Sequence, residues 1–382
     1  MTGGLIGTIR WLEILVIAVY TLEVTGSALA VALMLLARAL PMFLFGSITG
    51  VIAERVNRRH IMIVVLFGAC AVSAALGALA VSGRIELWHV AVGAFLSGMV
   101  WTMEFPVRRT MLGEIAGPHG VGAAMSLDSA TTNGTSMLGP ALGGLLFETV
   151  GLPGAYGLGA ALYGLGGLSI LSLVYVSSAV PAREETLFSS IAIGLRYVRG
   201  NRAMVGMLAV TVIMNLWGFP FAAMVPVIGR DVMGLGAFPI GVLRSAEGAG
   251  AFAGALIIAA LVRPARFNRI YLYGSFLMLF AVMVFSFSSW FVVSLAVLFI
   301  VGLGAAGFSA MQTAIMFTLA PPEMRGRVMG VLSVCIGASP LGMLHIGLMA
   351  SLLSAPTAVL VVAVEGVLAL AVTAVVWREI RG

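Results

Sequence analysis

Long apolar runs, separated only by short breaks that carry arginine, constrain this chain more than any other feature. Cutting the 382-residue sequence at clusters of Arg, Glu, Pro and Gly leaves twelve candidate spans, and about 20 apolar residues allow a helix to cross a bilayer. Charged residues make up 9% of the chain, against about 25% in a soluble domain. The sequence therefore predicts an all-α polytopic membrane protein. It excludes soluble enzymes, nucleic-acid-binding domains and disordered proteins.

The placement of arginine predicts how the spans are oriented. Most arginines follow even-numbered spans or end the chain, as in the cluster of Arg55, Arg58 and Arg59 after the second span. The opposite loops contain only Arg84 and Arg230. Because cytoplasmic loops of membrane proteins carry the excess of Lys and Arg, we expect the even-numbered loops and both termini to be cytoplasmic. The membrane is expected to be the inner or plasma membrane of the cell.

One long hydrophilic break, Ser178–Ala203, divides the twelve spans into two sets of six. Within it, the side chains of Leu187, Ile191, Leu195 and Val198 fall on one helical face, which predicts an amphipathic helix on the inner membrane surface. Three regions are therefore expected: an N-terminal six-helix bundle over residues 1–178, a linker over 179–203 and a C-terminal six-helix bundle over 204–382.

Three charged residues occur deep in the first two spans. Arg10 and Glu13 are one helical turn apart, and Arg38 lies midway along the second span. Charges at that depth cost several kcal/mol unless they are paired, so we expect Glu13 to pair with Arg38 or Arg10. Two interpretations stay open: a structural ion pair, or a carboxylate that carries a proton. Asp128, followed by a polar stretch that includes Asn133, is the second candidate for proton coupling.

The remaining candidates have more ordinary interpretations. Glu104 is expected to pair with Arg55 or Arg59, with proton transfer as the alternative, and Arg108 and Arg109 are expected at the surface. Arg244 and Glu247, again one turn apart, are expected to pair with each other.

Glu365 is expected to be protonated or to face a carbonyl, and His345 to be a packing residue. The residues proposed to line a central cavity are Trp101, Asn133, Asn215, Trp217, Phe219 and Gln312.

Two motifs resemble those of the major facilitator superfamily. The loop after the second span resembles its loop signature, with Glu54 in place of the usual Asp and Asn57 in place of Gly. A stretch in the fifth span resembles the core of its antiporter motif. The two motifs are Gly50-Val-Ile-Ala-Glu54-Arg55-Val-Asn-Arg58-Arg59 and Gly139-Pro140-Ala-Leu-Gly143-Gly144. The stretches Thr25-Gly-Ser27, Leu40-Pro41 and Pro322-Glu-Met-Arg325-Gly-Arg327 resemble the branch that contains enterobactin and macrolide exporters.

The resemblance implies a fold and a function. It implies two six-helix bundles that alternate access to a central cavity, and a cytoplasmic latch formed by Gly50, Glu54, Arg55, Arg58 and Arg59. The alternative for this latch is plain positive-inside charge. The resemblance also implies proton-coupled export of an amphiphilic small molecule, such as a drug or siderophore. An uptake or facilitative carrier and an inactive truncated permease are the alternatives.

Several further expectations concern partners and chain start. The sequence has no Lys and no Gly-x-x-x-x-Gly-Lys-Ser/Thr loop, so ATP-driven transport, a cofactor, a metal site and enzymatic activity are not expected. The expected partners of a monomer are a small-molecule substrate, protons and membrane lipid. Because about 24 residues precede Thr25, fewer than in the exporter branch, we expect a shortened first helix. A cleaved secretory signal is the alternative.

Overall fold

The computed structural model describes residues 2–173, 175, 187–261 and 266–381. Within these ranges, the side chains at 47–55, 118, 119, 122, 123, 126, 187–191, 261 and 322 are outside the description. Every regular element in the described ranges is helical, as the sequence predicts. Eleven stretches of the described chain are long and apolar enough to cross a membrane.

The N-terminal part of the chain forms four helices: α1 (Thr2–Thr25), α2 (Ala28–Arg55), α3 (Arg58–Val81) and α4 (Leu87–Leu171). Asn57 caps the start of α3, where its side-chain oxygen accepts a hydrogen bond from the amide of Arg59 at 3.0 Å. The first span was expected over Leu5–Tyr20. α1 is longer, and its 24 residues reach about 36 Å, which is enough to cross the hydrocarbon core.

α4 contains three of the expected spans. It breaks at Gly117 and Gly151, whose φ angles are 65° and 72°. Residues with a Cβ rarely adopt positive φ, so glycine suits both breaks. Leu127–Leu171 counts as one of the eleven stretches, yet it contains the break at Gly151. The fifth and sixth expected spans lie on either side of that break, which explains why eleven are counted where twelve were expected.

The C-terminal part forms nine helices in the described residues. They are α5 (Leu187–Arg199), α6 (Arg202–Ile213), α7 (Val225–Asp231), α8 (Ala237–Leu261), α9 (Phe267–Phe285), α10 (Phe291–Leu319), α11 (Arg325–Ile336), α12 (Ser339–Leu352) and α13 (Ala355–Val376).

The seventh span is irregular where a continuous helix over Met204–Ile228 was expected. A π-helical turn (Met214–Gly218) and a 3-10 turn (Phe219–Ala223) separate α6 from α7. Pro220 and Pro226 contribute to this irregularity because proline has no amide hydrogen for the helical ladder. The side chains of Asn215 and Trp217 project from the π-helical turn.

The chain divides into two compact units. Unit 1 comprises Met1–Glu184 and Leu235–Ser245, and unit 2 comprises Glu185–Gly234 and Ala246–Gly382. Two adjoining groups of buried apolar side chains form the core of unit 1, one around Met62 and Leu66 and one around Leu12 and Val90. The first half of α8 therefore belongs to unit 1.

The linker helix α5 packs against α11 in unit 2. A Cβ on Gly194 would lie 2.6 Å from the carbonyl oxygen of Arg327, and Val198 is buried. Leu195 was expected on the same face but is 41% exposed. α5 approaches α11 at Gly194, so the neighbouring Leu195 points away from that contact. The other two residues of the expected apolar face, Leu187 and Ile191, have side chains outside the described ones.

The end of the chain is held to the start of α6. Arg202 donates a hydrogen bond to the Glu379 carboxylate at 2.9 Å and another to the carbonyl oxygen of Val376 at 3.1 Å. A hydrogen bond from its own backbone, followed by the Arg202 contact, lowers the pKa of Glu379. These contacts fix the C-terminal turn beside the amphipathic linker.

Candidate functional site

The Glu13 carboxylate is the centre of a buried polar cluster in unit 1. It lies on α1 with 5% of its surface exposed. Its Oε2 accepts hydrogen bonds from Arg38 at 3.3 Å, from the Tyr163 hydroxyl at 3.3 Å and from Ser97. Arg38 also donates to Ser97. Of the two partners expected for Glu13, Arg38 and Arg10, the structure pairs it with Arg38, and three donors on one oxygen hold the carboxylate in place.

Arg10 is held by aromatic rings. Its guanidinium carbon lies 3.3 Å from the ring centroid of Trp101 and 5.0 Å from that of Trp11. Its carbonyl oxygen accepts a hydrogen bond from Arg38 at 3.5 Å. A desolvated cation–π contact contributes about 2 kcal/mol. Trp101, expected in the cavity wall, is thus the partner of a half-buried cation.

A second cluster of charges in unit 1 joins the parts of α4 that lie on either side of Gly117. Glu104 is completely buried and accepts a hydrogen bond from Arg108. Arg108 also contacts the Asp128 carboxylate. The second oxygen of Asp128 accepts a hydrogen bond from Arg109 at 3.0 Å. The break at Gly117 lets Asp128 return to the helix face that carries both arginines.

These contacts correct two expectations. Glu104 pairs with Arg108 and not with Arg59, and the Arg55 side chain is outside the described ones. Arg108 was expected at the surface but is 8% exposed. The reason is its spacing: Glu104 and Arg108 are four residues apart and face each other on one helix. Arg109 is half-buried and paired instead of free in solution.

A cavity of about 290 Å³ reaches the second cluster. Arg108, Asp128, Thr131 and Thr2 are among the residues that line it. The Oε2 atom of Glu104 is buried and has no hydrogen-bond partner among the described residues. The cavity therefore reaches Arg108 and Asp128 of the second cluster.

Two arginines of the loop signature, Arg58 and Arg59, bind other residues of unit 1. Arg58 donates a hydrogen bond to Glu114 at 2.6 Å. Arg59 donates to the carbonyl oxygens of Ile170 at 3.3 Å and Leu171 at 2.6 Å, at the end of α4. Arginine thus binds a carboxylate, as expected, and its partner Glu114 was not predicted. The side chains of the other latch residues, Gly50, Glu54 and Arg55, lie outside the described ones.

Two glycines of the antiporter-like motif lie against α1. A Cβ on Gly139 would lie 2.6 Å from the Cβ of Trp11, and one on Gly143 would lie 3.0 Å from the carbonyl oxygen of Leu12. A Cβ on Gly139 does not fit without a shift of its neighbour, and one on Gly143 would be tighter than most real contacts. The motif therefore allows α1, which carries Arg10 and Glu13, to approach α4 closely.

The same motif also lies against the first half of α8. A Cβ on Gly144 would overlap the carbonyl oxygen of Ala237, and a Cβ on Gly241 would overlap that of Pro140. Both contacts are within unit 1. The small residues thus permit backbone-to-backbone packing on two sides of one helix.

Unit 2 contains a polar cluster centred on Thr211. Its hydroxyl accepts a hydrogen bond from Gln312 Nε2 at 2.9 Å and lies 2.9 Å from the Tyr271 hydroxyl. Asn215 donates to the Thr211 carbonyl oxygen, also at 2.9 Å. Asn215 and Gln312, both proposed from sequence as cavity residues, therefore meet at one threonine. Thr211 and Tyr271 were not singled out from sequence.

Glu365 is the acceptor of a second polar cluster in unit 2. Its Oε2 lies 2.7 Å from His345 Nε2 and accepts a hydrogen bond from Trp217 Nε1 at 2.8 Å. Of the two alternatives expected for Glu365, a protonated group or one that faces a carbonyl, the second is wrong, because Glu365 contacts two side chains. The expectation that His345 only packs is also wrong. Both residues find side-chain partners because the π-helical turn directs the Trp217 indole towards α13.

The remaining sequence candidates lie on α4, in the 3-10 turn after α6 and on α8. Asn133 is half-buried on α4, and Phe219 packs edge-on against Phe308 with ring centroids 5.6 Å apart. Arg244 and Glu247 lie one turn apart on α8.

Comparison with known proteins identifies the family. The sequence matches the transmembrane secretion effector family of the major facilitator superfamily over residues 5–380. The chain belongs to this family. It is therefore a multi-pass membrane transporter and not an enzyme.

Relatives of this transporter include named efflux pumps. It is 28% identical to the multidrug efflux pump Tap of Mycolicibacterium fortuitum over 85% of this chain and 82% of Tap. It is 21% identical to macrolide efflux protein A of Streptococcus pyogenes, again over 85% and 82%. A match to the uncharacterized transporter YfiS of Bacillus subtilis, 26% identical, covers 50% of this chain and 45% of YfiS. The resemblance to an exporter branch is thereby confirmed.

Solved structures show the same fold. The nucleoside transporter NupG gives a TM-score of 0.76 at 10% identity, covering 100% of both chains. A bacterial homolog of the human lysosomal transporter Spinster gives 0.71 at 13% identity, covering 100% of this chain and 94% of the other. At such low identity these structures establish the architecture of the transporter fold and nothing about its substrate.

Proposed function

We propose that this transporter exports an amphiphilic small molecule, such as a drug or siderophore, in exchange for protons. The relatives that are named efflux pumps support the direction of transport. The observation that carries the coupling is the buried Glu13 carboxylate with three donors on one oxygen. In this proposal, a proton transferred to Glu13 leaves the charge of Arg38 uncompensated, and the two side chains must then rearrange.

Glu13 and Asp128 are the proposed proton-coupling residues. Arg38 contacts Arg10, and the Arg10 guanidinium lies over Trp101. Trp101 packs against Phe105, whose ring lies 4.2 Å from the Arg109 guanidinium, so these rings link the Glu13 cluster to the second cluster. The cavity beside Asp128 gives protons access to one end of this series. Protonation of either carboxylate changes the charge that its arginines must balance. The helices that carry those arginines then favour a different packing. In this proposal the proton thereby shifts the equilibrium between two conformations, as coupling requires.

The proposed cycle is alternating access between two six-helix bundles. In this proposal the bundles cover residues 1–178 and 204–382, with the linker over 179–203 on the cytoplasmic side. Both termini are cytoplasmic and the transporter works as a monomer in the cell membrane. The loop-signature residues act as a latch for the outward-facing state, and the antiporter-like glycines keep α1 close to α4. Trp217, Asn215 and Gln312 contribute to the substrate cavity.

Accumulation of a macrolide or of a fluorescent amphiphilic dye in intact cells tests the proposal. Cells that contain the transporter should accumulate less of the compound, and a protonophore should abolish the difference. Glu13→Gln and Asp128→Asn variants at equal membrane abundance should behave like cells without the protein. Higher accumulation with the transporter would show the uptake alternative instead. No difference for any compound of the class would favour an inactive permease.

A further inference from the structure

Unit 1 contains a second cavity, of about 220 Å³, that the proposed transport cycle does not use. It lies between α3 and the first part of α4, and α1 closes its inner end. Its walls are apolar, with Val64, Val72, Leu96 and Val100 among the lining residues. Val64 is 71% exposed, so the cavity opens at this residue.

The mouth of the cavity is on the outer face of a membrane span. The exposed residues of α3 that follow Val64 are all apolar: Gly68, Ala71, Ala74, Ala75, Ala78 and Val81. α3 is long and apolar enough to cross a membrane, and apolar residues on such a span are compatible with the hydrocarbon core. A molecule dissolved in the bilayer therefore reaches this mouth without crossing water.

The inner end of the cavity is polar and incompletely hydrogen-bonded. Tyr156 lines it and is 4% exposed, yet its hydroxyl has no hydrogen-bond partner among the described residues. Glu13 also lines the cavity. Its three donors Arg38, Ser97 and Tyr163 all bind Oε2, whereas Oε1 lies on the side of Gly159, where a Cβ would be 3.9 Å away. A buried hydroxyl without a partner costs about 1–3 kcal/mol, so a ligand that satisfies it gains affinity.

We propose that this cavity binds a neutral amphiphile with a hydroxyl at its polar end, taken from the lipid. A ligand hydroxyl can accept a hydrogen bond from Tyr156 and donate one to Oε1 of Glu13. Arg38 already neutralises the carboxylate, so a cationic head would meet repulsion from Arg38 without an unbalanced anion to attract it. The inference rests on the proposed function, for which it names a substrate class and a site beside the coupling carboxylate.

Photolabelling of the purified transporter in lipid nanodiscs tests the proposal. The probe is n-octanol that carries a diazirine, competed by unlabelled n-octanol, without any ion gradient. Mass spectrometry should place the label on α3 and on the first part of α4, at residues that line the cavity. Label distributed evenly over the lipid-exposed helices would overturn the proposal.

Two variants and one control make the test specific. Tyr156→Phe should weaken competition by n-octanol about tenfold, which is about 1.4 kcal/mol. It should leave thermal stability equal or higher, because it removes an unpartnered polar atom. Gly68→Phe should abolish the labelling, since nothing lies within 4 Å of its Cβ and the ring fills the mouth. Gly157→Phe, at an equally open exposed position of α4, should label like the original.

The remaining outcomes decide the chemistry of the occupant. Unchanged competition in Tyr156→Phe, or equal competition by n-octyltrimethylammonium, would overturn the assignment of a neutral hydroxyl. Because binding is measured without a gradient, its loss leaves the proposed exchange of substrate for protons untouched. Conversely, labelling at the cavity in a protein that transports nothing would support the site and contradict only the transport proposal.

Discussion

The ion pair between Glu13 and Arg38 should show strong energetic coupling. The two side chains are buried, with exposed fractions of 6% and 8% respectively, and their closest N–O distance is 3.3 Å. Removing one partner of a buried pair costs about 3–5 kcal/mol because the other charge is left uncompensated. Arg38→Met and Glu13→Leu should therefore each lower the free energy of unfolding by about 3 kcal/mol or more.

The double variant should cost much less than the sum. It leaves no unpaired charge, and the remaining loss comes from Ser97 and Tyr163, whose hydroxyls lose their shared acceptor at about 1 kcal/mol each. We expect the double variant to lose about 2 kcal/mol. The magnitude of the interaction energy of the cycle is then at least about 4 kcal/mol.

Unfolding in mixed micelles of SDS and a mild detergent, followed by tryptophan fluorescence, measures the four proteins of the cycle. As a control, Arg38→Met is combined with Glu365→Gln of unit 2, and these two effects should add. Additive effects of Glu13→Leu and Arg38→Met, within about 0.5 kcal/mol, would refute the view that the two residues stabilise unit 1 as a pair.

Three further substitutions test the packing and the charges of unit 1. Gly144→Ala should reduce stability by about 1–3 kcal/mol, measured by thermal unfolding, because its Cβ overlaps a backbone carbonyl. Gly134→Ala, with nothing within 4 Å, should not. Arg58→Ala should cost about 1–3 kcal/mol in the same assay, because it removes a hydrogen bond between charged groups. Trp101→Leu should lower stability by about 2 kcal/mol, and Trp101→Phe by less, because Phe retains a ring face for Arg10.

The sequence was sufficient to predict the class of fold. The length of the apolar runs alone predicts membrane spans, because helices are the only unclosed structures that satisfy their backbone in lipid. That Glu13 pairs with an arginine was also predictable, since neither charge is stable alone. The choice of Arg38 over Arg10 was not predicted. The breaks of α4 at Gly117 and Gly151 separate the expected fourth, fifth and sixth spans.

Most partners within the clusters could not be predicted. Ser97 and Tyr163 bind Glu13 from 84 and 150 residues away in the sequence, and nothing in the local sequence marks either as a partner. Arg108 next to Arg109 looks like a loop signal for topology. It is buried because the same helix carries Glu104 one turn earlier. That four-residue spacing was the available sign of the true pairing.

Transport driven only by an imposed pH gradient is the most direct test of Glu13 as the coupling residue. The purified transporter, its Glu13→Gln variant and a Glu365→Gln control are reconstituted into liposomes that contain a macrolide or an amphiphilic dye. The account predicts that the gradient drives substrate movement, with counterflow of protons, in the original and in Glu365→Gln but not in Glu13→Gln. Undiminished gradient-driven transport by Glu13→Gln would contradict it.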